Sequence, residues 1–516
     1  MQQSTPQSHG PRMCQAIATA VAVTLGATLL TSCVRGRSLV DEPDDPTGPS
    51  GAVGYAPPPP SGGAVAPTET DTVYATPALS APGFTIPANF LGLSFEAWDA
   101  TDAPRLTDPA LPQFLKNLGA GVLRYGGSTA DQQCWNPSTR TVCPAGGPTL
   151  INSDFANVFS FSRATGWPVI YTVNLVGLQP DTAAAEVAAL SSAGSTSLLT
   201  VAIGNEPDQY VTQGLRASGW GYTQYQGEWE SYANAITARS PTVKFSGVDG
   251  CCALGTTWMS PFVGAEDSRM VMAAGHLYPT FNGATAGTTY YPSIANLLSQ
   301  YTQNRVMSDV QQLYSGDAGR LPLRITESNS VGGSGLQGVS NVYASALWAV
   351  AHMFVLAENG AVGVNFHGSF SGGNYEAVSG GSGSYVAHPL YYAMLLFHNA
   401  AQGQTIPVSV VAHNSPNVMI HAALASDGTL RVVAINNEVS TNVQVRIAPG
   451  RTFRSAGTLR MTGPSLDATS GVTYAGATVG ADGTWVPGTY SPVYTTGGVF
   501  AVSVPASSVA VVTLVP

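Results

Sequence analysis

The chain predicts a (β/α)8 barrel followed by a C-terminal antiparallel β-sandwich, on three observations. Between residues 89 and 402 a short β-branched or aromatic run, a polar turn and a longer amphipathic stretch recur eight times. From residue 403 the apolar period drops to two. Two of the apolar runs end on glutamate, in Ile203-Gly204-Asn205-Glu206-Pro207 and in Arg324-Ile325-Thr326-Glu327-Ser328. Of 516 residues 44% are apolar and 10% charged, with 57 Gly and 36 Pro, which suits a large loop-rich globular protein and excludes a coiled coil or a charged disordered chain.

Residues 1–33 read as a lipoprotein-type signal peptide. Arg12 precedes an apolar stretch over 16–30, the length of a secretory core and short of the roughly 20 residues of a membrane span. Leu30-Thr31-Ser32-Cys33 then resembles the bacterial lipobox, which implies lipidation of Cys33. The protein is expected to be exported to a bacterial cell envelope, held by that lipid, or secreted if the anchor is absent. Residues 34–72, with Pro57-Pro58-Pro59-Pro60-Ser61-Gly62-Gly63, form a disordered tether.

Without residues 1–32 the net charge is −11, since that segment holds one arginine and no acid. Lys116 and Lys244 are the only lysines, so a nucleic-acid or polysulfate groove lacks electrostatic support. Cys134, Cys143, Cys251 and Cys252 make an even set in an exported chain, which favours disulfides. The turn residues Asn136-Pro137-Ser138 favour pairing Cys134 with Cys143. Cys251 and Cys252 stay open between an adjacent bridge and two free thiols. Neither spacing is a metal-ligand signature, so no zinc site is expected, and no organic cofactor is implied.

Residues 73–88 supply one or two strands that join the sandwich. The barrel strands are expected at 90–95, 122–125, 169–174, 198–203, 243–248, 271–278, 323–326 and 362–367, and its clearest helices at 154–165, 183–192, 222–239, 293–314 and 342–358. Eight alternations fit a closed barrel better than an open doubly wound sheet. Gly332-Gly333-Ser334-Gly335 does not make a dinucleotide-binding fingerprint. The sandwich, residues 403–516, shows period-two runs at 417–423, 430–436, 443–447 and 509–514.

A parallel barrel carries its active site at the C-terminal ends of its strands. Glu206 ends the fourth run, and Pro207, without an N–H, turns the chain out of the sheet at once. Glu327 ends the seventh. Glycoside hydrolysis needs a proton donor and a second carboxylate, with environments that keep one protonated and the other ionised. Glu206 is assigned as acid/base and Glu327 as nucleophile.

Asn205-Glu206-Pro207 and Thr326-Glu327-Ser328-Asn329, at the exits of strands four and seven, resemble the retaining clan A glycoside hydrolases. With Leu123-Arg124-Tyr125-Gly126-Gly127-Ser128-Thr129-Ala130-Asp131 and the sandwich, residues 84–516 are similar to glycoside hydrolase family 79, which holds bacterial and fungal β-glucuronidases and the heparanases. The resemblance implies that Asn205 bonds the sugar 2-hydroxyl, that Tyr278 orients Glu327, that Glu96 accepts from distal hydroxyls and that Arg124 keeps the nucleophile charged. For a uronate carboxylate it implies Tyr375, the backbone of Gly332 and Ser334, and His367. Val331-Gly332-Gly333 carries no aromatic, so the second tyrosine expected near the nucleophile is missing. His276 reads as a residue that supports the rim. The expected function is a retaining exo-β-glucuronidase acting on a glucuronic-acid-containing glycan or glucuronide. An endo-acting heparanase-like hydrolase and a lipid-anchored glycan-binding protein are the alternatives.

Overall fold

The structure is a computed structural model that describes residues 71–516 apart from 178, 253 and 413, together with the backbone of residues 61 and 62. Cys33, the leader and most of the tract expected at 34–72 lie outside the described residues.

Eight parallel strands close a barrel: β1 (Leu91–Glu96), β2 (Gly121–Gly126), β3 (Val169–Val173), β4 (Leu198–Ile203), β5 (Phe245–Cys251), β6 (Met270–Leu277), β7 (Leu323–Ser328) and β8 (Ala361–His367). β8 closes on β1 from Val364 beside Leu91 to His367 beside Ser94. Strands covered on both faces read as continuous apolar runs, which is why each coincides with a run in the sequence. β5 departs most from expectation. It continues past Val248 because Gly250 and Cys251 still pair with Gly275 and His276 of β6.

Around the barrel lie α1 (Asn152–Thr165), α2 (Pro180–Gly194), α3 (Tyr222–Arg239), α4 (Gln300–Asp317), α5 (Tyr343–Glu358) and α6 (Pro389–Ala400). α1 stops where Gly166 takes φ 77° in the left-handed region. The helix expected over 293–314 is broken: Ser299 turns its hydroxyl to the N–H of Thr302, 3.1 Å away, and caps a new helix there. α5 is buried on every side from Tyr343 to Ala357, because it runs between barrel and sandwich. Its Tyr343 hydroxyl donates to the carbonyl of Met461 in the sandwich at 3.1 Å.

The sandwich draws strands from both ends of the chain. Asp71–Pro77 lies in a six-stranded sheet between Val443–Ile447 and Val408–Ala412, and Thr85–Ile86 ends the eight-stranded sheet beside Gly403–Thr405. The first of these runs parallel to Val443–Ile447, an exception to the antiparallel expectation. A strand separated from its partner by the whole barrel in sequence is not bound to the direction that a hairpin imposes. The backbone of Ser61–Gly62, inside the expected tether, also pairs, with Tyr494 and Thr495.

Cys134 and Cys143 are bonded with Cα atoms 5.8 Å apart, and Cys251 is bonded to Cys252, the first of the two arrangements left open for that pair.

Inside the barrel Arg324 is fully buried below the site. Its guanidinium donates to Asn365 Oδ1 at 2.7 Å and to the carbonyls of Asn89, Phe90 and Leu91 at 3.0–3.2 Å. Gly363 makes room for it, since a Cβ there would meet both the guanidinium and the carbonyl of Phe90. With the guanidinium pinned by four bonds, Gly363→Ala is expected to destabilise the barrel by about 1–3 kcal/mol. A lower urea midpoint with unchanged slope would show it; an unshifted midpoint would mean that the Arg324 side chain moves freely.

Candidate active site

The strand exits bring the expected residues to one mouth of the barrel, and each is held by an identifiable local device. Gly204 (φ 81°) and Glu206 (φ 49°) both lie in the left-handed region, so the chain reverses sharply as β4 ends. Asp131, beyond β2, holds that reversal. Its carboxylate accepts from the N–H of Leu175 at 2.9 Å, the N–H of Asn205 at 3.0 Å and the hydroxyl of Tyr210 at 2.6 Å. The N–H of Glu206 donates to the carbonyl of Asp249 on β5 at 2.9 Å.

Glu327 ends up with both oxygens engaged. Arg124, fully buried on β2, donates from Nη1 to its Oε2 at 2.8 Å, and the hydroxyl of Tyr278 donates to its Oε1 at 2.9 Å. The second Arg124 nitrogen donates to Asn205 Oδ1 at 2.7 Å, so one planar fork fixes Glu327 and Asn205 together. His276 Nδ1 lies 3.0 Å from Glu206 Oε1 and 3.9 Å from Glu327 Oε2, and His367 Nδ1 lies 3.9 Å from the same oxygen.

These neighbours decide the charges. Burial works to raise the Glu327 carboxyl, but the charges of His367, His276 and Arg124 and the Tyr278 hydroxyl outweigh it and hold the group well below the ordinary carboxylate range. Burial likewise opposes charge on His276, yet Glu327, Asp249 and Glu206 push it up to about 9. The anion is thus buried inside a ring of cations, and it stays ionised.

The remaining expected residues surround this centre. Glu96 closes β1 with Oε2 accepting from the N–H and hydroxyl of Thr129, at 2.8 and 2.6 Å, and with Oε1 3.4 Å from His367 Nε2. It is tied to the β2 loop as well as facing the cleft. The loops after β7 and β8 meet: Asn374 Nδ2 donates to the carbonyl of Ser334 at 3.1 Å, and Asn329 Nδ2 donates to the carbonyls of His367 and Tyr375 at 2.7 and 3.1 Å. The ring of Tyr375 stands 6.2 Å from that of His367 and bonds to Tyr278. Gly332 lies under Tyr278 and Phe281, where a side chain would not fit.

Three acting residues were not singled out from the sequence. Asp249, fully buried, bonds the hydroxyl of Thr326 and stands 3.5 Å from His276 Nε2. It also ends an apolar run, the signal that marked Glu206. Asp131 sat within the quoted Arg124 motif without a role. His276, left at the rim, is buried between the two glutamates.

Glu206, His276 and Glu327 each offer one ligand atom within 4.8 Å of the others, a spacing that suits a metal ion. However, Arg124 and Tyr278 already engage the two oxygens of Glu327 and the set is ringed by cations, which suits proton transfer and attack at carbon better than metal binding.

Residues 420–511 match the model of the glycosyl hydrolase family 79 C-terminal beta domain. A β-glucuronidase of Aspergillus niger is 26% identical over 400 residues, covering 67% of this chain and 71% of that protein. One from Neurospora crassa is 26% identical over 315 residues, 51% of this chain and 53% of that one. The solved structure of a 4-O-α-L-rhamnosyl-β-D-glucuronidase from Fusarium oxysporum superposes with a TM-score of 0.68 at 18% identity, over 84% of this chain and 97% of that one. A GH51 arabinofuranosidase from Xanthomonas axonopodis pv. citri gives 0.64 at 15% identity, over 86% of this chain and 100% of that one. At these identities the structural likenesses show a common fold.

The raised His276 links charge to stability. Its folded value of about 9 exceeds the 6.5 of a free histidine, so its contribution is complete below about pH 6.5 and is lost as pH rises through 9. The melting temperature is expected to fall across that window, and to fall less steeply in His276→Asn. Equal slopes in the two proteins would mean that the imidazole is uncharged.

Proposed function

We propose that this O-glycoside hydrolase belongs to glycoside hydrolase family 79 and is a retaining exo-β-glucuronidase that releases terminal glucuronic acid through a covalent glycosyl-enzyme intermediate. The observation that carries this reading is the carboxylate spacing: an oxygen of Glu206 and one of Glu327 lie within 4.8 Å of each other on one mouth of the barrel. Retention calls for carboxyls about 5–5.5 Å apart, whereas inversion leaves about 6.5–9.5 Å for a water.

In the first step Glu206 protonates the glycosidic oxygen as its bond to the anomeric carbon breaks, and an oxygen of Glu327 bonds to that carbon. In the second Glu206 takes a proton from water, whose oxygen displaces Glu327. Asn205, held by Arg124, is assigned to the sugar 2-hydroxyl. The uronate carboxylate is assigned to the Tyr375 hydroxyl, to His367 and to the backbone around Gly332 and Ser334, where residues 333–335 have φ of 81°, 67° and 72° and the glycines allow close approach. His367 supports this assignment, because Glu327 and Glu96 raise it above its ordinary value against the effect of burial.

Exo action is part of the same proposal, and the joining of two loops at the barrel mouth is what favours it. Ser369 Oγ donates to Asp99 at 3.4 Å, and Arg105 Nε donates to the carbonyl of Gly380 at 2.6 Å, joining the β8 loop to the segment after β1. Lipidation at Cys33 is part of the same proposal, and Cys33→Ala is expected to move the protein from the membrane fraction to the soluble one.

Hydrolysis of p-nitrophenyl β-glucuronide, compared with the glucoside and galactoside, tests the substrate. Activity confined to the glucoside would sink the uronate assignment and leave the carboxylate chemistry standing. Glu206→Ala should lose on the order of 10²–10⁴ in kcat on unactivated substrates, and Glu327→Ala should lose more. Azide should then give the β-azide with the first variant and the α-azide with the second. Full activity in both variants, or an α-anomer as the first product, would overturn the mechanism.

A further inference from the structure

We infer that the Cys251–Cys252 bridge is part of the leaving-group subsite: its sulfur face, at the β5 exit beside Glu206, takes the ring of an aromatic aglycone. This rests on Glu206 being the acid/base of a β-glucuronidase, and it gives a role to a bridge that the carboxylate chemistry does not use.

The bridge lies on the inner side of the barrel mouth. Cys251 is the last residue of β5 and pairs in register with His276 of β6. Residues paired across a parallel ladder point to the same face of the sheet. The Cys251 side chain therefore shares a face with the imidazole that stands 3.0 Å from Glu206 Oε1. Three bonds from main-chain N–H groups fix this corner. The N–H of Glu206 donates to the carbonyl of Asp249 at 2.9 Å, and that of Cys252 to the carbonyl of His276 at 3.3 Å. The N–H of Cys251 donates to Oδ1 of Asp208, in the turn directly after Glu206, at 2.9 Å. Cys251 is buried and Cys252 is exposed, so the bridge runs from the wall of the mouth to its surface. Cys252 also holds φ 68°, where glycine would sit without strain, and the chain carries a side chain there against its backbone preference.

The order of strands says which end of the substrate meets this surface. β4 is flanked by β3 and β5, and β7 by β6 and β8. The groups assigned to the uronate come from the exits of β7 and β8, with Glu96 beyond them on β1. Glu206 gives its proton to the leaving oxygen, so the aglycone lies against Glu206 on the arc that the glycone does not fill. At the β6 exit His276 and Tyr278 are committed to the two glutamates, and at the β3 exit the N–H of Leu175 is tied to Asp131. The β5 exit offers the exposed surface beside the acid.

Its chemistry selects a flat apolar ring. Bonded sulfurs carry no donor, accept hydrogen bonds weakly and are polarisable, so they attract an aromatic ring by dispersion and by sulfur–ring contact. The N–H groups of residues 251 and 252 are already engaged, as is Gln209 Nε2 on Asp208 Oδ2 at 2.5 Å. The hydroxyls of a second sugar would find no donor among these groups, and an aromatic ring needs none.

The anchoring bonds start from the main chain, so Cys251→Ala/Cys252→Ala removes the sulfurs and keeps the bonds. In this variant kcat/KM for phenyl β-glucuronide should fall about 2- to 10-fold relative to methyl β-glucuronide. The loss should lie in kcat/KM, which covers the steps up to departure of the aglycone, rather than in kcat where attack of water limits turnover. A bridge that only braces Glu206 would instead slow both substrates alike and lower kcat, and that result, or an unchanged preference, would overturn the proposal. Should the variant not fold, a crystal structure of Glu327→Ala with phenyl β-glucuronide bound decides the matter. Ring carbons should lie about 3.5–4 Å from the Cys251 and Cys252 sulfurs, and a ring packed at the β3 exit or held in solvent would overturn the subsite. Failure of the glucuronidase reading looks different, as a parent protein that hydrolyses neither glucuronide.

Discussion

Arg124 is the constraint on which the site depends. It is buried at 0% exposure within the barrel, with one nitrogen on Glu327 and another on Asn205. A buried carboxylate with no partner would take up a proton, and a buried guanidinium would leave an uncompensated charge. Each makes the other tolerable. The fork also does what a lysine's point charge could not, because its planar donors reach Glu327 and Asn205 at the same time. Ser94, accepting from the same Nη1 at 3.0 Å and lying 3.2 Å from His367 Nδ1, carries the constraint on to β8. Five strands, β1, β2, β4, β7 and β8, are thereby linked through one side chain and its neighbour Ser94.

That arrangement explains what was legible beforehand. The barrel strands are covered on both faces, so their apolar runs stand out, and β4 was readable to the residue. β5 was not, because its last turn reads Asp249-Gly250-Cys251 and looks like a loop until its pairing with β6 is seen. The parallel pairing of Asp71–Pro77 depends on where the chain returns, after the whole barrel, with its partner Val443–Ile447, which no local pattern records. The break at Ser299 was visible in principle, since Ser299 and Thr302 carry a capping spacing, but the apolar period on either side masked it.

The site divides in the same way. Glu206 and Glu327 were legible because an acid closing an apolar run, with Pro207 or Ser328 after it, has no structural reason to be there. Asp249, inside β5, carried the same signal as Glu206. Asp131 was harder to find: it lies in a turn, indistinguishable by sequence from a solvated acid, and its importance comes from holding the Asn205–Glu206 reversal. His276 is similar. Its position on β6 was clear, but its role follows from lying within reach of two carboxylates that are 121 residues apart in the chain.

On the proposed reading the charge balance of the pocket also changes during the reaction. Before attack, His367 faces Glu327 at 3.9 Å and Glu96 at 3.4 Å, two anions competing for one imidazolium. Once Glu327 is esterified to the sugar its charge is gone, and His367 and Arg124 are each left with one anion fewer. A uronate bound beside His367 is the group placed to use that surplus. Its attraction to the pocket then grows as the intermediate forms and falls again when Glu327 is released, so the carboxylate that marks the substrate helps to stabilise the step after which it is named. Differential stabilisation of this kind, stronger late than early, is what turns a binding contact into rate. A neutral hexose in the same pocket would gain nothing from the loss of the Glu327 charge, and discrimination would arise in the chemistry as well as in binding.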